Sequence, residues 1–333
     1  MKRWQRRVRI SEIHAIAQVA LTHGRHNIDY KKYHTELTSL NEAHSSKPST
    51  DWIEAMVMLN ASQRKRSRRT LGLMRRLSQR HTDQGTEAEF QAFETMVSEA
   101  LAPDRLNHHG YGQTFAHLDH DDIWSHLREV IEALENEGHS VFLNSGTLLG
   151  VVRDGKLIEH DDDIDLAVEL SAKTQKEAAA EWIEIRDLLE KMDLFDHEAD
   201  VAPMIHKLTS KEVNGRFVEI DLFPLWFQDT DEGERAWLYP HTRGELMRED
   251  IFPLKACDVS GLMLPAVPEK MLALNYGENW QTPDPLWRFD WIDSHAHFKE
   301  FITSLKPLSK RIRKAKKAKV AAIDNTVSKK EAA

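Results

Sequence analysis

The chain has 333 residues and a mass of 38.5 kDa, with 41% hydrophobic and 30% charged residues. It is therefore long enough for two domains and apolar enough for a packed core. The formal net charge is −9, but residues 1–80 contain 17 basic and 6 acidic side chains, residues 81–298 contain 17 and 45, and residues 299–333 contain 11 and 3. An acidic central region argues against a protein that coats nucleic acid, so no nucleic-acid partner is expected.

The compartment is indicated by what the sequence lacks. Its single cysteine, Cys257, excludes an internal disulfide and a cysteine-based zinc cluster. No run approaches the roughly 18–20 apolar residues of a membrane-spanning helix. The basic start is followed by Glu12, His14 and Gln18 rather than by the apolar stretch of a secretory signal. We therefore expect a cytoplasmic protein, with basic ends that can contact the anionic inner face of a membrane.

Residues 1–115 are predicted to form a helical, basic N-terminal region without a chemical motif. In its segment 64–80, a run of arginines precedes a helical pattern in which Leu73 and Leu77, or Leu71 and Met74, share a face. One interpretation is a helix that lies on an anionic membrane surface. The other is a solvated helix or a basic linker.

The alternation of apolar and polar residues then predicts mixed α and β structure in residues 116–298. In chain order we expect a helix that begins at Asp121 or Asp122 and ends before Gly138, strands at 141–143 and 164–168, a helix over 182–192, and paired strands at 204–209 and 217–223. Asn214-Gly215 is the hairpin signal between the last two strands. The segment after Pro240 is loop-rich, with a short helix at Glu269–Tyr276. Residues 299–333 are predicted to be a basic C-terminal tail, in which 309–320 is a second candidate for lipid contact.

A cluster of aspartates carries most of the chemical information. Asp161, Asp162, Asp163 and Asp165 crowd four like charges into five positions, which is tolerable if a cation neutralises them or if they point into water. Asp163 and Asp165 leave the same face of a strand, so both can hold Mg²⁺. Asp161 joins them only if the extended conformation begins earlier.

A third carboxylate is available downstream. In residues 217–223, Glu219 and Asp221 share one strand face, opposite an apolar face. If this strand lies beside the aspartate strand, three carboxylates converge on one or two metal ions. Such a site suits an in-line displacement at phosphorus, and the third acid can orient or deprotonate the attacking hydroxyl.

Gly146, Thr147 and Arg153 are the candidate phosphate-binding residues. A glycine at a strand-to-helix turn lets backbone N–H groups approach a phosphate, and a hydroxyl adds a donor. Arg153 can offer a guanidinium fork to a phosphate oxygen.

At these residues the sequence resembles the LicD/fukutin-like family, a branch of the nucleotidyltransferase superfamily with a palm like that of DNA polymerase β. The resemblance covers roughly residues 120–285, and His160 stands where the family often has an aromatic residue. It implies an α/β (α+β) fold in which helices flank a nucleotidyltransferase-like mixed β-sheet. The matching segments are Gly146–Gly150, Arg153, Ile158, Asp161–Asp165, Ile220–Leu225, Ile251–Leu254, Val267-Pro268, Tyr276-Gly277 and Trp280.

The resemblance implies a phosphotransferase that uses Mg²⁺ or Mn²⁺. Such enzymes move phosphocholine, ribitol phosphate or glycerol phosphate from a CDP-activated donor to a hydroxyl of a saccharide or lipid-linked glycan acceptor at the cell surface. Asp163 and Asp165 resemble the catalytic metal-binding pair, and Asp221 resembles the third carboxylate, with Glu219 as its substitute. Gly146 and Thr147 resemble the phosphate-contacting turn, and Arg153 is expected to bind the donor phosphate.

Two alternatives remain open. The same three carboxylates would serve a nucleotidyltransferase that moves NMP from an NTP to a small molecule or RNA, since both reactions are displacements at phosphorus. The protein could instead be a catalytically silent scaffold that docks at a membrane through its basic ends.

Overall fold

A computed structural model of the chain describes residues 2–23, 28–42, 48–106, 110–197, 202–213, 216–284, 287 and 289–314. The chain divides into two compact units, Met1–His117 and Leu118–Ala333. The predicted turn at Asn214-Gly215 and the tail from residue 315 onward lie outside the described residues.

The N-terminal unit is helical, as predicted. Its elements are the helices α1 (Arg3–Thr22), α2 (Tyr30–Glu42), α3 (Thr50–Ser62), α4 (Ser67–Gln84) and α5 (Glu87–Leu101), then the antiparallel strands β1 (Asp104–Leu106) and β2 (Tyr111–Gln113) and a 3₁₀ turn at Phe115–His117. Helix α3 is the centre of this unit, because nearly every residue from Trp52 to Ser62 is buried. Its start is capped by the Ser49 hydroxyl, which accepts a hydrogen bond from the Trp52 N–H.

Helix α4 corrects one expectation about membrane contact. The N-terminal unit buries the apolar side chains of this helix, which are Leu71, Leu73, Met74 and Leu77. They pack in a protein core and cannot also lie in a lipid surface, so only exposed arginines such as Arg68, Arg69 and Arg76 are left for contact through residues 64–80. Within the described ranges we find no helix with the length and hydropathy of a bilayer-spanning segment.

The second unit combines helices with a mixed sheet. Its helices are α6 (His120–Asn136), α7 (Ser145–Arg153), α8 (Gln175–Lys191), α9 (Arg248–Ile251), α10 (Pro268–Tyr276), α11 (Trp291–His297) and α12 (Lys299–Ser304). Its strands are β3 (Val141–Leu143), β4 (Asp163–Glu169), β5 (His206–Val213), β6 (Arg216–Thr230), β7 (Gly233–Leu238), β8 (Thr242–Met247), β9 (Lys255–Ala256) and β10 (Met263–Leu264).

Strand β6 organises the main sheet, whose order is β3-β4-β6-β7-β8 with β5 also paired to β6. Strands β4 and β6 run parallel, whereas the other pairs in this sheet are antiparallel. Parallel strands need a crossover connection, which α8 supplies between β4 and β6. The sheet is therefore mixed and carries helices, which confirms the predicted fold class.

The sequence pattern located the first half of this unit well. Strand β3 has the predicted bounds, and Gly138 has the positive φ of a residue that follows a helix. Helix α6 begins slightly earlier than expected because Asp119, not Asp121 or Asp122, accepts the capping hydrogen bond. Strands β7 and β8 were not predicted, and β6 continues well beyond residue 223.

The predicted C-terminal tail begins later than residue 299. Helix α12 and the following residues 305–314, which are helical from 306, bury a row of apolar side chains, which are Phe301, Leu305, Leu308 and Ile312. The Phe301 ring lies 5.4 Å from that of Trp226, a fully buried residue of β6. This segment is therefore part of the packed second unit.

Helix α7 and the loop after it pack closely at Gly150. A Cβ atom at this position would lie 2.6 Å from the Lys156 carbonyl oxygen and 2.9 Å from the Ile158 nitrogen. Both are backbone atoms, so the loop that leads to the aspartate strand could not yield by a side-chain rotation.

We predict that Gly150→Ala lowers the free energy of unfolding by about 1–3 kcal/mol, because the added methyl overpacks this contact. The control is Gly72→Ala on α4, where no atom other than those of adjacent residues and the helix's own backbone lies within 4 Å of the added Cβ. That change should be neutral or stabilising by up to about 1 kcal/mol, since alanine is the better helix former. Urea denaturation of both variants measures the difference, and equal stabilities would contradict the packing argument.

Candidate functional site

Three aspartates meet at one place on the main sheet. Asp163, Asp165 and Asp221 are all buried, and each offers a carboxylate oxygen within 4.8 Å of the others. We call these three residues the carboxylate cluster. Their all-oxygen ligand set, at this spacing, is suited to Mg²⁺ or Mn²⁺.

The register of two parallel strands creates this cluster. Asp165 of β4 lies directly opposite Asp221 of β6, and Asp163 lies opposite Glu219. Residues two apart on a strand share a face, so the register brings acidic residues of both strands to the same side of the sheet. The alternate apolar residues, such as Ile164 and Ile220, are fully buried on the other side.

The two additional acids occupy different places. Asp161 forms a second group of close carboxylates with Asp162 and Asp163, and it is partly exposed. Glu219 has a side chain that is 52% exposed and is outside both groups of close carboxylates found among the described residues. Of the two candidates for the third carboxylate, Asp221 is therefore the one that the structure places with Asp163 and Asp165.

The turn from β3 into α7 holds Asp165. The Gly146 N–H donates a hydrogen bond of 2.8 Å to Asp165 Oδ2, and the Asp165 N–H donates one of 2.9 Å to Thr147 Oγ1. A Cβ atom at position 146 would lie 2.6 Å from Asp161 Oδ2, so a side chain there would displace that carboxylate. The predicted phosphate-contacting turn thus lies at the cluster, where both of its residues contact Asp165.

A comparison with protein families identifies this part of the chain. Residues 138–269 match the family described as LicD/FKTN/FKRP, nucleotidyltransferase domain. The chain contains a LicD domain. The predicted family resemblance is confirmed over these residues, which include β3, α7, β4 and β6. A comparison with curated proteins gives no match. The LicD domain indicates a transferase with a phosphotransferase-type role in glycan modification.

Arg153 of the LicD domain is engaged by its neighbour in sequence. Its Nε and Nη2 atoms donate hydrogen bonds of 2.9 Å and 2.7 Å to the two carboxylate oxygens of Asp154. This contact is the first cause that lowers the pKa of Asp154 below its usual value. A phosphate bound by Arg153 would have to share the guanidinium with this carboxylate.

Lys207 of β5 is a site residue that the sequence analysis missed. Its Nζ lies 2.5 Å from Asp221 Oδ1 and 3.3 Å from Glu219 Oε2. Burial lowers the pKa of Lys207, but the charge and hydrogen bond of Asp221 raise it by more, so the net pKa is well above the usual value. Lys207 is therefore an ammonium cation beside the cluster.

Tyr276, at the end of α10, is a second such residue. Burial raises the pKa of its hydroxyl well above the usual value, and the charges of Asp165 and Asp161 raise it further. Its ring centroid lies 4.7 Å from that of Trp287. In the sequence, Tyr276 was identified only as part of the family pattern. No local sequence pattern relates the end of α10 to the distant aspartates, so no signal in the sequence indicated a role of Tyr276 at the site.

The surroundings of the carboxylate cluster disfavour the ionised form of Asp165. Burial raises the pKa of Asp165 well above its ordinary value of 3.8, and the charges of Asp163, Asp161 and Asp221 raise it further. The hydrogen bond from Gly146 opposes this shift. Crowded carboxylates of this kind are stabilised by a divalent cation, so the residues present fit a magnesium or manganese site.

We predict that Asp165→Asn becomes more stable relative to the wild-type protein as pH rises, when divalent ions are removed with a chelator. The folded pKa of Asp165 lies above its unfolded value, so its contribution to stability is fully present below that value of 3.8 and is lost as pH rises through the folded pKa. Thermal unfolding of both proteins from about pH 4 to pH 8 measures this trend.

The matched control has the opposite sign. Arg153 lowers the folded pKa of Asp154, so that carboxylate stabilises the protein above its unfolded pKa and loses this effect as pH falls. Asp154→Asn should therefore lose stability relative to the wild-type protein as pH rises toward about 4, and should show no further relative change from about pH 5 to pH 8. If the stabilities of Asp165→Asn and Asp154→Asn, each relative to the wild-type protein, changed with pH in the same way, the opposite directions assigned to the two pKa shifts would be wrong.

Proposed function

We propose that the protein is a metal-dependent phosphotransferase of the LicD type. It would move a phospho-alcohol, such as phosphocholine, ribitol phosphate or glycerol phosphate, from a CDP-activated donor to a hydroxyl of a cell-surface glycan. The observation that carries this proposal is the convergence of three buried carboxylates on one face of the sheet, inside the LicD domain. The donor alcohol and the acceptor, a saccharide or a lipid-linked glycan, are proposed from the family alone.

The carboxylate cluster would hold Mg²⁺ or Mn²⁺. When bound, such an ion lowers the energy of the negative charge that develops on the phosphoryl oxygens. The acceptor hydroxyl oxygen forms a new bond to the phosphorus of the alcohol phosphate, the bond to the CMP oxygen breaks, and CMP leaves with the electron pair. Asp221 is proposed to orient or deprotonate the attacking hydroxyl.

The phosphate-binding roles of three further residues are also proposed. Gly146 and Thr147 lie where the turn into α7 meets the cluster, and they contact the carboxylate and the backbone N–H of Asp165, respectively. The guanidinium of Arg153 has five N–H donors, so it can bind a donor phosphate while it keeps a hydrogen bond to Asp154. These contacts would place the donor phosphorus near the cluster.

We propose that the enzyme works in the cytoplasm, at the inner face of a membrane. This proposal is supported by the basic N-terminal unit, where the described surface of α4 exposes arginines that can attract anionic lipid. The second candidate segment, 309–320, is described only up to residue 314, and Ile312 within it is buried.

We predict that the purified protein with Mg²⁺ releases CMP from one of CDP-choline, CDP-ribitol or CDP-glycerol in the presence of a saccharide acceptor. Asp163→Asn and Asp221→Asn should each lower the rate by about 100- to 1,000-fold, because each removes a charge that acts on the transition state. Asp187→Asn is the matched control, since its carboxylate lies on the surface of α8 in an ion pair with Arg311.

The products separate the alternatives. Pyrophosphate released from an NTP, with no CMP from any CDP donor, would show a nucleotidyltransferase instead. Turnover of no donor under any of these conditions would favour the silent scaffold. Full activity of the Asp163→Asn and Asp221→Asn variants would contradict the mechanism even if CMP is the product.

A further inference from the structure

Lys207 places a protein cation against Asp221, one of the three carboxylates that would hold a metal ion. Its Nζ lies 2.5 Å from Asp221 Oδ1, and the side chains of Lys207 and Asp221 are only 13% and 8% exposed. A buried ammonium is not a surface lysine that happens to meet an acid, because its desolvation must be offset by a close partner. Lys207 therefore balances part of the charge of the cluster in the absence of a divalent ion.

The same ammonium has a second partner within reach. Glu219 Oε2 lies 3.3 Å from Lys207 Nζ, and the Glu219 side chain faces solvent over half of its surface. A divalent ion at Asp221 and the Lys207 ammonium would repel each other, since two cations would share one carboxylate at contact distance. Movement of the ammonium toward Glu219 relieves this repulsion and keeps Lys207 paired.

We propose that Lys207 is a positioning residue that sets the affinity of the carboxylate cluster for a divalent ion by exchanging between Asp221 and Glu219. The proposal rests on the proposed function, in which the cluster holds such an ion. Lys207 holds Asp221 in place in the ion-free protein and releases it, toward Glu219, when the ion binds.

The decisive experiment titrates Mn²⁺ into ion-free protein by calorimetry, in one buffer and at one pH for the wild-type protein and every variant. Lys207→Met should bind Mn²⁺ about tenfold more tightly than the wild-type protein, because a competing cation is gone. The same variant should unfold at a lower temperature than the wild-type protein in chelator, because the buried Asp221 carboxylate then loses its ammonium partner. Lys207→Arg, which keeps the positive charge, should retain most of the wild-type stability.

A double-mutant cycle tests the exchange itself. Glu219→Gln should weaken Mn²⁺ binding, because the ammonium loses its alternative partner and stays on Asp221. In the Lys207→Met background the same change should have a much smaller effect, since no ammonium remains to be moved. Lys173→Met, which removes a partly exposed lysine paired with Glu234, is the control and should leave both ion affinity and stability close to wild type.

Each result has one meaning. If the wild-type protein binds no divalent ion, the proposed function fails together with this inference. If the wild-type protein binds Mn²⁺ and Lys207→Met binds it equally well or more weakly, the inference alone is overturned, and the Lys207–Asp221 pair is a fixed structural contact. If Glu219→Gln changes Mn²⁺ affinity equally in the wild-type and Lys207→Met backgrounds, the proposed exchange of Lys207 between Asp221 and Glu219 is overturned.

Helix α1 supports a second, independent inference. Its exposed side carries Trp4, Val8, Ala15 and Val19, which lie within an arc of about 60° at 3.6 residues per turn. Trp4, Val8 and Val19 are 62%, 50% and 58% exposed. The opposite side of α1 is buried and packs on α3, so this apolar stripe is not needed for the core of the unit.

Basic side chains accompany the first half of the stripe. Lys2, Arg3 and Arg7 are exposed, and Arg3 and Arg7 form no ion pair with any described residue. A tryptophan and a valine flanked by uncompensated cations are the combination that inserts at the headgroup level of an anionic membrane. A protein partner would need an acidic surface that also has a groove for the indole. An anionic lipid surface supplies negative charge at the headgroups and an apolar layer for the indole beneath them.

We further infer that α1 docks on an anionic lipid surface through Trp4 and Val8, with Arg3 and Arg7 at the headgroups. Co-sedimentation with vesicles of phosphatidylcholine alone, or with about one third phosphatidylglycerol, tests this. The protein should bind only the anionic vesicles, and added salt should weaken binding. Trp4→Ala and the double variant Arg3→Ala/Arg7→Ala should each weaken it about tenfold. Ile292→Ala, which truncates an 83% exposed residue of the second unit, should not.

Three outcomes would overturn the inference. They are absence of vesicle binding, equal binding to neutral and anionic vesicles, and a self-association in ultracentrifugation that Trp4→Ala abolishes. The last result would show that a second copy of the chain, rather than lipid, covers the stripe.

Discussion

The crowding of carboxylates between β4 and β6 is the constraint on which the rest of the second unit depends. Parallel pairing aligns Asp165 with Asp221, and the apolar residues that alternate with them are buried on the other face. A shift of one residue in the pairing of β4 with β6 would turn the acidic side chains of one strand toward the core. The burial of the apolar side chains therefore fixes the register, and the register places the three carboxylates together. The fold therefore holds like charges together although their repulsion opposes it.

The surroundings compensate this charge differently on the two strands. On the β4 side, Asp165 receives a backbone hydrogen bond from Gly146, and the Asp161 carboxylate leaves no room for a Cβ atom at position 146. On the β6 side, Asp221 meets the ammonium of Lys207. The Gly146 N–H is part of the backbone of α7 and cannot move independently of it, whereas the Lys207 side chain can rotate. The Asp165 carboxylate is thus held by a rigid backbone group. Asp221, its neighbour on β6, is held by the more mobile ammonium of Lys207.

The sequence predicted the parts of the structure that follow from local periodicity, and it missed those that depend on register. Strands β3 and β4 were located because their apolar runs are short and bounded. A regular hairpin closed at Asn214-Gly215 would put Leu208 opposite Asp221 and Lys207 on the other face. An irregularity between Leu208 and Lys211 shifts the pairing by one residue and brings Lys207 opposite Asp221 instead. Nothing in the residue types marks that bulge, so the lysine could not be assigned to the site.

The charges at the site also bear on how an anionic donor could approach it. Lys207 contacts the cluster and is paired with Asp221, and Arg153, at the end of α7, is paired with Asp154. A diphosphate that approaches the ion-free cluster would therefore meet net negative charge, and any contact with Arg153 or Lys207 would be shared with the carboxylate partner of that residue. Added positive charge at the cluster both offsets this repulsion and weakens the hold of Asp221 on Lys207. On the proposed function, binding of a divalent cation would then precede donor binding or accompany it, because Lys207 and Arg153 are paired with Asp221 and Asp154 until that charge arrives.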